Sequence, residues 1–248
     1  MIALIAAIPM ETELLRKAMA PCEVRRSGGW DLFLGPLHGQ LVQLLHSGVG
    51  KANAAAATAT LLTSCQPAAV ISLGCGGAYP GSGLAVGDLA LATEEIYGDE
   101  GVLAPGGFQD MDQIGLPLVK RDGRPLFNRF PADPSRLESA RPALERTAAI
   151  TGRTLATGGF VTVSTCSGTE AAGTTMARRT GGICENMEGA AVAQICAVYG
   201  IPFLEIRGIS NLVEDRDLSR WDLKGGADIA QRATKDLLAS WQPGSPFA

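Results

Sequence analysis

Two acidic side chains and one carboxamide stand where apolar runs break into polar or glycine-rich punctuation. Glu13 follows the run MIALIAAI, Glu188 lies in ENMEG, and Asn211 is the second residue of SNLVED. A carboxylate beside a strand end can serve as general base toward a water molecule. A carboxylate at the head of a buried helix can accept hydrogen bonds from ligand hydroxyls. A carboxamide offers an N–H side and a carbonyl side but no titratable proton. Glycine-rich segments lie between these positions: SGVGK (47–51), GCGGAYPGSG (74–83) and TCSGTE (165–170). Such segments let backbone N–H groups approach a ligand closely. Each feature also has a plainer reading. Glu13 falls opposite the apolar stripe Leu14, Leu15, Ala18 and Met19, as a solvated first-turn glutamate would. Glu188 shares a face with Val192, Ile195 and Tyr199, and an acid is favoured at a helix N-terminus in any case. Asn211 could simply tie down a loop, and Glu205 with Arg207 on one strand face reads as a structural ion pair.

Other chemistries are disfavoured by what surrounds these residues. GCGG is followed by no clean helix, so it does not fit a dinucleotide fingerprint, and it lacks the Lys and Ser/Thr of a P-loop. The two histidines, His38 and His46, have no metal-ligand spacing, so neither a metal nor another cofactor is expected. The six cysteines form no CxxC pair and read as reduced thiols in a cytoplasmic protein. A net charge of −4 speaks against nucleic acid or a membrane surface as partner. The apolar N-terminus lacks a basic n-region and reads as a buried first strand rather than a leader.

Positioning these groups requires a scaffold, and 248 residues with 46% hydrophobic content suit one α/β domain spanning 1–248. Strands are predicted at 2–8, 31–35, 40–46, 68–74, 86–97, 154–163 and 202–210, with a short one before residue 188. Helices are predicted at 11–19, 51–64, 134–150, 170–179, 188–199 and 223–241, with a frayed tail over 242–248. Residues 98–132 show little periodicity and read as a long loop that covers a site or lacks order. The alternation implies a central, mostly parallel or mixed sheet flanked by helices in three layers. Ligands of such sheets sit at the carboxyl ends of the strands, where the unusual residues gather.

The ordered set MExE (10–13), SGVGKANAAAA (47–57), SLGCGGAYPGSGLAVGDLALATEEIYGD (72–99), NMEGAAVA (186–193) and EIRGISN (205–211) resembles the nucleoside phosphorylase/nucleosidase superfamily over almost the whole chain. GAYPGSGLAVGD, TVSTCSGT (162–169) and SRWD (219–222) are most similar to its futalosine hydrolase branch, which serves menaquinone biosynthesis. The resemblance implies a nucleoside-phosphorylase-like fold and a homodimer or larger homo-oligomer. It also implies a small nucleoside as substrate. Carried over by position, it makes Glu13 the base that activates water, and Met187 and Glu188 the ribose-binding pair. It sets Gly76 and Gly77 beside purine and sugar, Gly168 and Thr169 at the base edge, and Asn211 beside purine N7.

Where related adenine-releasing nucleosidases carry an aspartic acid, this chain has Asn211. A 6-oxopurine presents N7 and O6 as adjacent acceptors, whereas a 6-aminopurine presents a donor beside N7. An amide N–H at that edge therefore favours hypoxanthine as the leaving group, and futalosine carries hypoxanthine. The strand-end loops 9–12, 47–50 and 74–83 hold no arginine, with only Lys51 nearby, so no clamp for a phosphate nucleophile is evident. The carboxylated arm of futalosine would fall to Arg220, or to Lys120 or Arg121, with Trp221 available for stacking; a surface pair of Arg220 with Asp217 or Asp222 is an equal alternative. Rival expectations are a methylthioadenosine/S-adenosylhomocysteine or aminodeoxyfutalosine nucleosidase that releases adenine, a trimeric-type purine nucleoside phosphorylase, and a nucleoside-binding protein without catalysis.

Overall fold

The computed structural model describes residues 1–121 and 123–241; the tail expected over 242–248 lies outside the described residues. In chain order the strands are β1 Ile2–Ala6, β2 Glu23–Ser27, β3 Trp30–Leu37, β4 Gln40–His46, β5 Ala69–Ala78, β6 Leu89–Tyr97 and β7 Gly101–Ala104. They continue with β8 Gly107–Asp110, β9 Val119–Arg121, β10 Arg124–Leu126, β11 Arg129–Pro131, β12 Leu155–Thr162, β13 Gly182–Asn186 and β14 Phe203–Leu212. The helices are α1 Glu13–Met19, α2 Lys51–Ser64, α3 Pro134–Ile150, α4 Glu170–Thr180, α5 Gly189–Tyr199 and α6 Leu223–Ser240, with 3-10 turns at Pro9–Thr12 and Leu218–Arg220.

β1 is buried along its whole length and pairs in parallel with β4 and β5. That placement explains its uninterrupted apolar sequence, since helices cover both faces. On one side the sheet runs β1-β4-β3-β2. On the other, β5 pairs with both β13 and β14, β14 with β6, β6 with β12, and β12 with β13. Those five strands close on themselves, and Ala78, Ala90, Ala92, Phe160, Cys184 and Ile209 fill the resulting small barrel. Leu15 and Met19 of α1, Leu144 of α3 and Leu237 of α6 pack on one face of the sheet. Ala54, Ala57 and Leu61 of α2 and Ala190–Ala193 of α5 pack on the other. The expected three-layer α/β arrangement is therefore present. No described helix is long and apolar enough to cross a membrane.

The sheet is more mixed than the alternation alone implied, because β13 runs antiparallel to β5 and β14 antiparallel to β6. β2 was not anticipated; it is an exposed edge strand with no apolar alternation to betray it. The hairpin β3–β4 turns through His38 and Gly39, both at positive φ (50° and 77°). That is the conformation a two-residue hairpin loop demands. Residues 98–132 are not a bare loop. They hold the hairpins β7–β8 and β9–β10, and β11 adds to the sheet beside β6. Strands of three or four residues are too short to show periodicity.

Candidate active site

A cavity of about 240 Å³ opens where β1, β5, β13 and β14 end. Its wall carries the carboxylates Glu11, Glu185 and Glu188, the guanidiniums Arg207 and Arg216, and the Asn211 amide. Pro9 starts a 3-10 turn directly after β1, and this turn swings Glu11 inward. Glu11 is buried, and its carboxylate is fully oriented. Oε2 accepts the backbone N–H groups of Ala7 (3.0 Å) and Ile8 (3.1 Å), and Oε1 accepts that of Cys75 (2.9 Å). Gly74 leaves the room for it, since a Cβ there would overlap the Glu11 carboxylate and crowd Arg207.

The expectation for Glu13 is corrected by this geometry. Glu13 is the first residue of α1, half exposed on its outer face, where it pairs with Lys17. Lys17 also holds its carboxyl below the usual range. It does not line the cavity. Glu11 lies at i, i+4 and i+8 with the buried Leu15 and Met19, a spacing readable in the sequence that assigns the inward carboxylate correctly.

Glu188 is buried at the head of α5 and lies in the cavity wall. Its Oε1 accepts the N–H of Gly50 from the SGVGK turn (2.9 Å), and its Oε2 lies 3.5 Å from Arg207. Burial raises its carboxyl above the usual range, while Arg207 and the Gly50 N–H pull it back. Arg207 is anchored from behind by Glu205 at 2.6 Å, the ion pair expected on that strand. Behind Glu205 lies Glu95, fully buried, whose carboxyl is held well above the usual range by burial and by the Glu205 charge. Glu205 Oε2 accepts no hydrogen bond from any assigned donor among the described residues. Arg207 is thus fixed by Glu205 from one side and faces Glu188 on the other.

Asn211 owes its position to a bulge in β14. Ile209 pairs with Gly76 and Asn211 with Gly77, so Ser210 is the extra residue. The bulge brings both Ser210 and Asn211 to the cavity, where a regular strand would send them to opposite faces. Ser210 Oγ–H donates to Asn211 Oδ1 (2.8 Å), and Asn211 Nδ2 donates to the Leu212 carbonyl (3.1 Å). Ser210 Oγ thereby takes one lone pair of the amide oxygen, the Gly76 carbonyl lies 3.3 Å from the same hydroxyl, and one Nδ2 hydrogen is left unused.

Met187, Gly76 and Gly77 also line the cavity. Three other expected residues do not. Gly168 and Thr169 are exposed, and Thr169 is spent as the N-cap of α4, accepting from the Ala172 N–H. Their neighbours Cys166 and Ser167 take the position at the wall. Arg220 is exposed and pairs with Glu214 (2.8 Å) rather than with Asp217 or Asp222. Arg216 and Trp221 occupy the rim instead, with the guanidinium 5.0 Å from the ring centroid. Lys51 is engaged by Asp99 (2.7 Å) and Glu100 (2.6 Å). Arg121 lines a separate groove. Glu185, Arg207 and Ser210 are cavity residues that sequence reasoning gave no ligand-facing role.

Residues 1–240 match the phosphorylase superfamily. The chain is 35% identical over 198 residues to the futalosine hydrolase of Thermus thermophilus, covering 79% of this chain and 80% of that one. It is 31% identical over 212 residues to the 5′-methylthioadenosine/S-adenosylhomocysteine nucleosidase of Halalkalibacterium halodurans, covering 85% of each. Among solved structures it is similar to the Neisseria meningitidis 5′-methylthioadenosine/S-adenosylhomocysteine nucleosidase in complex with methylthio-immucillin-A. The TM-score is 0.82 at 27% identity, covering 97% of this chain and 99% of that one.

Proposed function

The chain belongs to the phosphorylase superfamily, and from that membership we propose that it is a nucleosidase that hydrolyses the N-glycosidic bond of futalosine and releases hypoxanthine. The observation that carries the choice of base is the Asn211 amide. Its carbonyl accepts from Ser210 Oγ, its Nδ2 donates to the Leu212 carbonyl, and one N–H remains for a base in the cavity it lines. That donor suits the N7/O6 edge of a 6-oxopurine and cannot act as an acid toward N7 of adenine.

In this reading Glu11 is the general base. Three backbone N–H groups hold its carboxylate in one orientation, so it can fix and deprotonate a water aimed at C1′. Glu188, held by Gly50 and Arg207, accepts the ribose hydroxyls, and Met187 packs on the sugar. As the glycosidic bond breaks, the Asn211 N–H stabilises the charge that develops on the departing purine. Water rather than phosphate is the nucleophile this wall favours. Its three carboxylates outnumber its two guanidiniums, and Arg207 is already balanced by Glu205 and Glu188. A phosphate would have to displace those pairings to find a clamp.

A second reading, an adenine-releasing nucleosidase, is favoured by the methylthioadenosine/S-adenosylhomocysteine relatives at comparable identity. One assay separates the two: release of hypoxanthine from futalosine against release of adenine from aminodeoxyfutalosine and methylthioadenosine, with and without phosphate. A higher kcat/KM for futalosine, unaffected by phosphate, is the expected outcome. Preference for the 6-amino substrates would overturn the assignment.

A further inference from the structure

We propose that Gln231 of α6 is a positioning residue that keeps the Glu11 carboxylate aimed into the cavity. This rests on the reading of Glu11 as general base and adds what holds its backbone in place. Glu11 belongs to the 3-10 turn Pro9–Thr12, which runs straight into α1. The first N–H groups of a helix find no partner within it. Thr12, the N-cap of α1, supplies none from its side chain. Its hydroxyl donates to the Pro9 carbonyl (3.3 Å) and lies 2.5 Å from His46 Nε2.

Gln231 takes over that task. It is fully buried. Its Oε1 accepts the Leu14 N–H (2.7 Å), and its Nε2 donates to the carbonyls of Met10 (3.3 Å) and of Ala227, one turn back on α6 (3.1 Å). Met10 precedes Glu11 and Leu14 follows it, so one amide grips the backbone on both sides of the carboxylate. It does so from 217 and 221 positions along the chain. Only a neutral head group with both a donor and an acceptor can serve these two partners. A carboxylate would face the Met10 carbonyl with a second acceptor, and an ammonium would face the Leu14 N–H with a second donor. The other side chain on this turn is a looser anchor: Arg16 reaches the Pro9 carbonyl at 3.3 Å from an exposed position. The N–H groups of Ala7, Ile8 and Cys75 orient the head of Glu11, and Gln231 fixes the segment from which it springs. Gln231 is not part of the cavity wall, so it reaches the chemistry only through this turn.

The test is a double-mutant cycle on the full chain: wild type, Gln231→Met, Glu11→Gln, and both changes together. Hypoxanthine release from futalosine is divided by the folded fraction measured by circular dichroism. Gln231→Met keeps the bulk and removes both hydrogen bonds to the turn. Its kcat per folded chain should fall about 10–100-fold, the cost of a slightly misplaced catalytic group, with little change in KM because Glu188 and Asn211 are untouched. In the Glu11→Gln background the same change should lower kcat little further, since no base is left to aim. A residue that merely supports the fold would act alike in both backgrounds. Native kcat per folded chain in Gln231→Met, or a full second loss in the double variant, would overturn the proposal. Should Gln231→Met fail to fold, Gln231→Glu, which keeps the acceptor for Leu14 and loses the donor to Met10, carries the cycle with the same outcomes. A native kcat in Glu11→Gln would sink the base reading and this proposal with it. A loss in Glu11→Gln beside a native Gln231→Met would sink this proposal alone. A wild type that leaves futalosine intact and releases adenine from methylthioadenosine would sink only the choice of substrate, and the cycle then runs on methylthioadenosine.

Discussion

Exchanging the two carboxylates of the Met10–Glu13 segment one at a time gives the sharpest test of the site. Glu11→Gln keeps the shape of the side chain but removes the base. Loss of a positioned general base costs about 10²–10⁴ in rate, or roughly 3–5 kcal/mol of barrier at 1.36 kcal/mol per decade. The same change also has a structural effect, because the carboxylate accepts three backbone N–H groups. An amide has one carbonyl oxygen and would turn an NH₂ group toward at least one of those donors. Leaving a buried donor unpaired costs about 1–3 kcal/mol of stability. The two effects separate experimentally. Hypoxanthine release at saturating futalosine gives kcat, and thermal unfolding gives the stability loss. Glu11→Gln should therefore lose kcat far beyond what its fraction unfolded explains, with a smaller change in KM. Glu13→Gln removes only a solvent-facing partner of Lys17 and should leave kcat and unfolding temperature near wild type. A native kcat in Glu11→Gln, or a comparable loss in Glu13→Gln, would refute the reasoning.

Three further outcomes are expected. Asn211→Asp should lower kcat/KM for futalosine by about 10–100-fold, since the N–H donor to the base is lost, and should raise adenine release from aminodeoxyfutalosine; unchanged selectivity in the substrate panel would contradict the role given to the amide. Gly74→Ala should reduce kcat and lower the unfolding temperature together, because the added Cβ would displace the buried Glu11 carboxylate and Arg207 from their partners; native turnover would show that the wall tolerates the shift. Glu95→Gln should change how stability depends on pH. In the folded chain Glu95 keeps a proton that the unfolded chain releases near the ordinary carboxyl value. Stability therefore falls as pH rises from about 4.3 toward the raised folded value, and then levels off. Glutamine mimics the protonated form and removes that decline. The unfolding temperature of the variant minus that of wild type should climb with pH, and a flat or falling difference would contradict the raised Glu95 carboxyl.

The sequence by itself determined the layered α/β plan and the neighbourhood of the site. Continuous apolar runs mark strands covered on both faces, and polar punctuation marks their ends, because buried segments cannot hold unpaired polar groups. Those two rules gather the GCGG, ENMEG and SNLVED segments, the resemblance singles out Glu188, Asn211, Met187, Gly76 and Gly77 within them, and all five line one cavity. Tertiary structure decided which neighbour of a marked residue faces inward. The 3-10 turn set at Pro9 turns Glu11 toward the cavity and Glu13 toward solvent. The bulge at Ser210 re-aims Asn211, and the loop after β14 puts Arg216 rather than Arg220 at the rim. Glu185 was hidden for the same reason. Its strand is five residues long and reads as core, and its place at the cavity wall depends on pairing with Gly77, which lies 108 positions earlier in the chain. Periodicity fixes the face of a side chain within its own element. Which faces converge is set by pairings distant in sequence, and a shift of one residue there reverses the direction of every side chain.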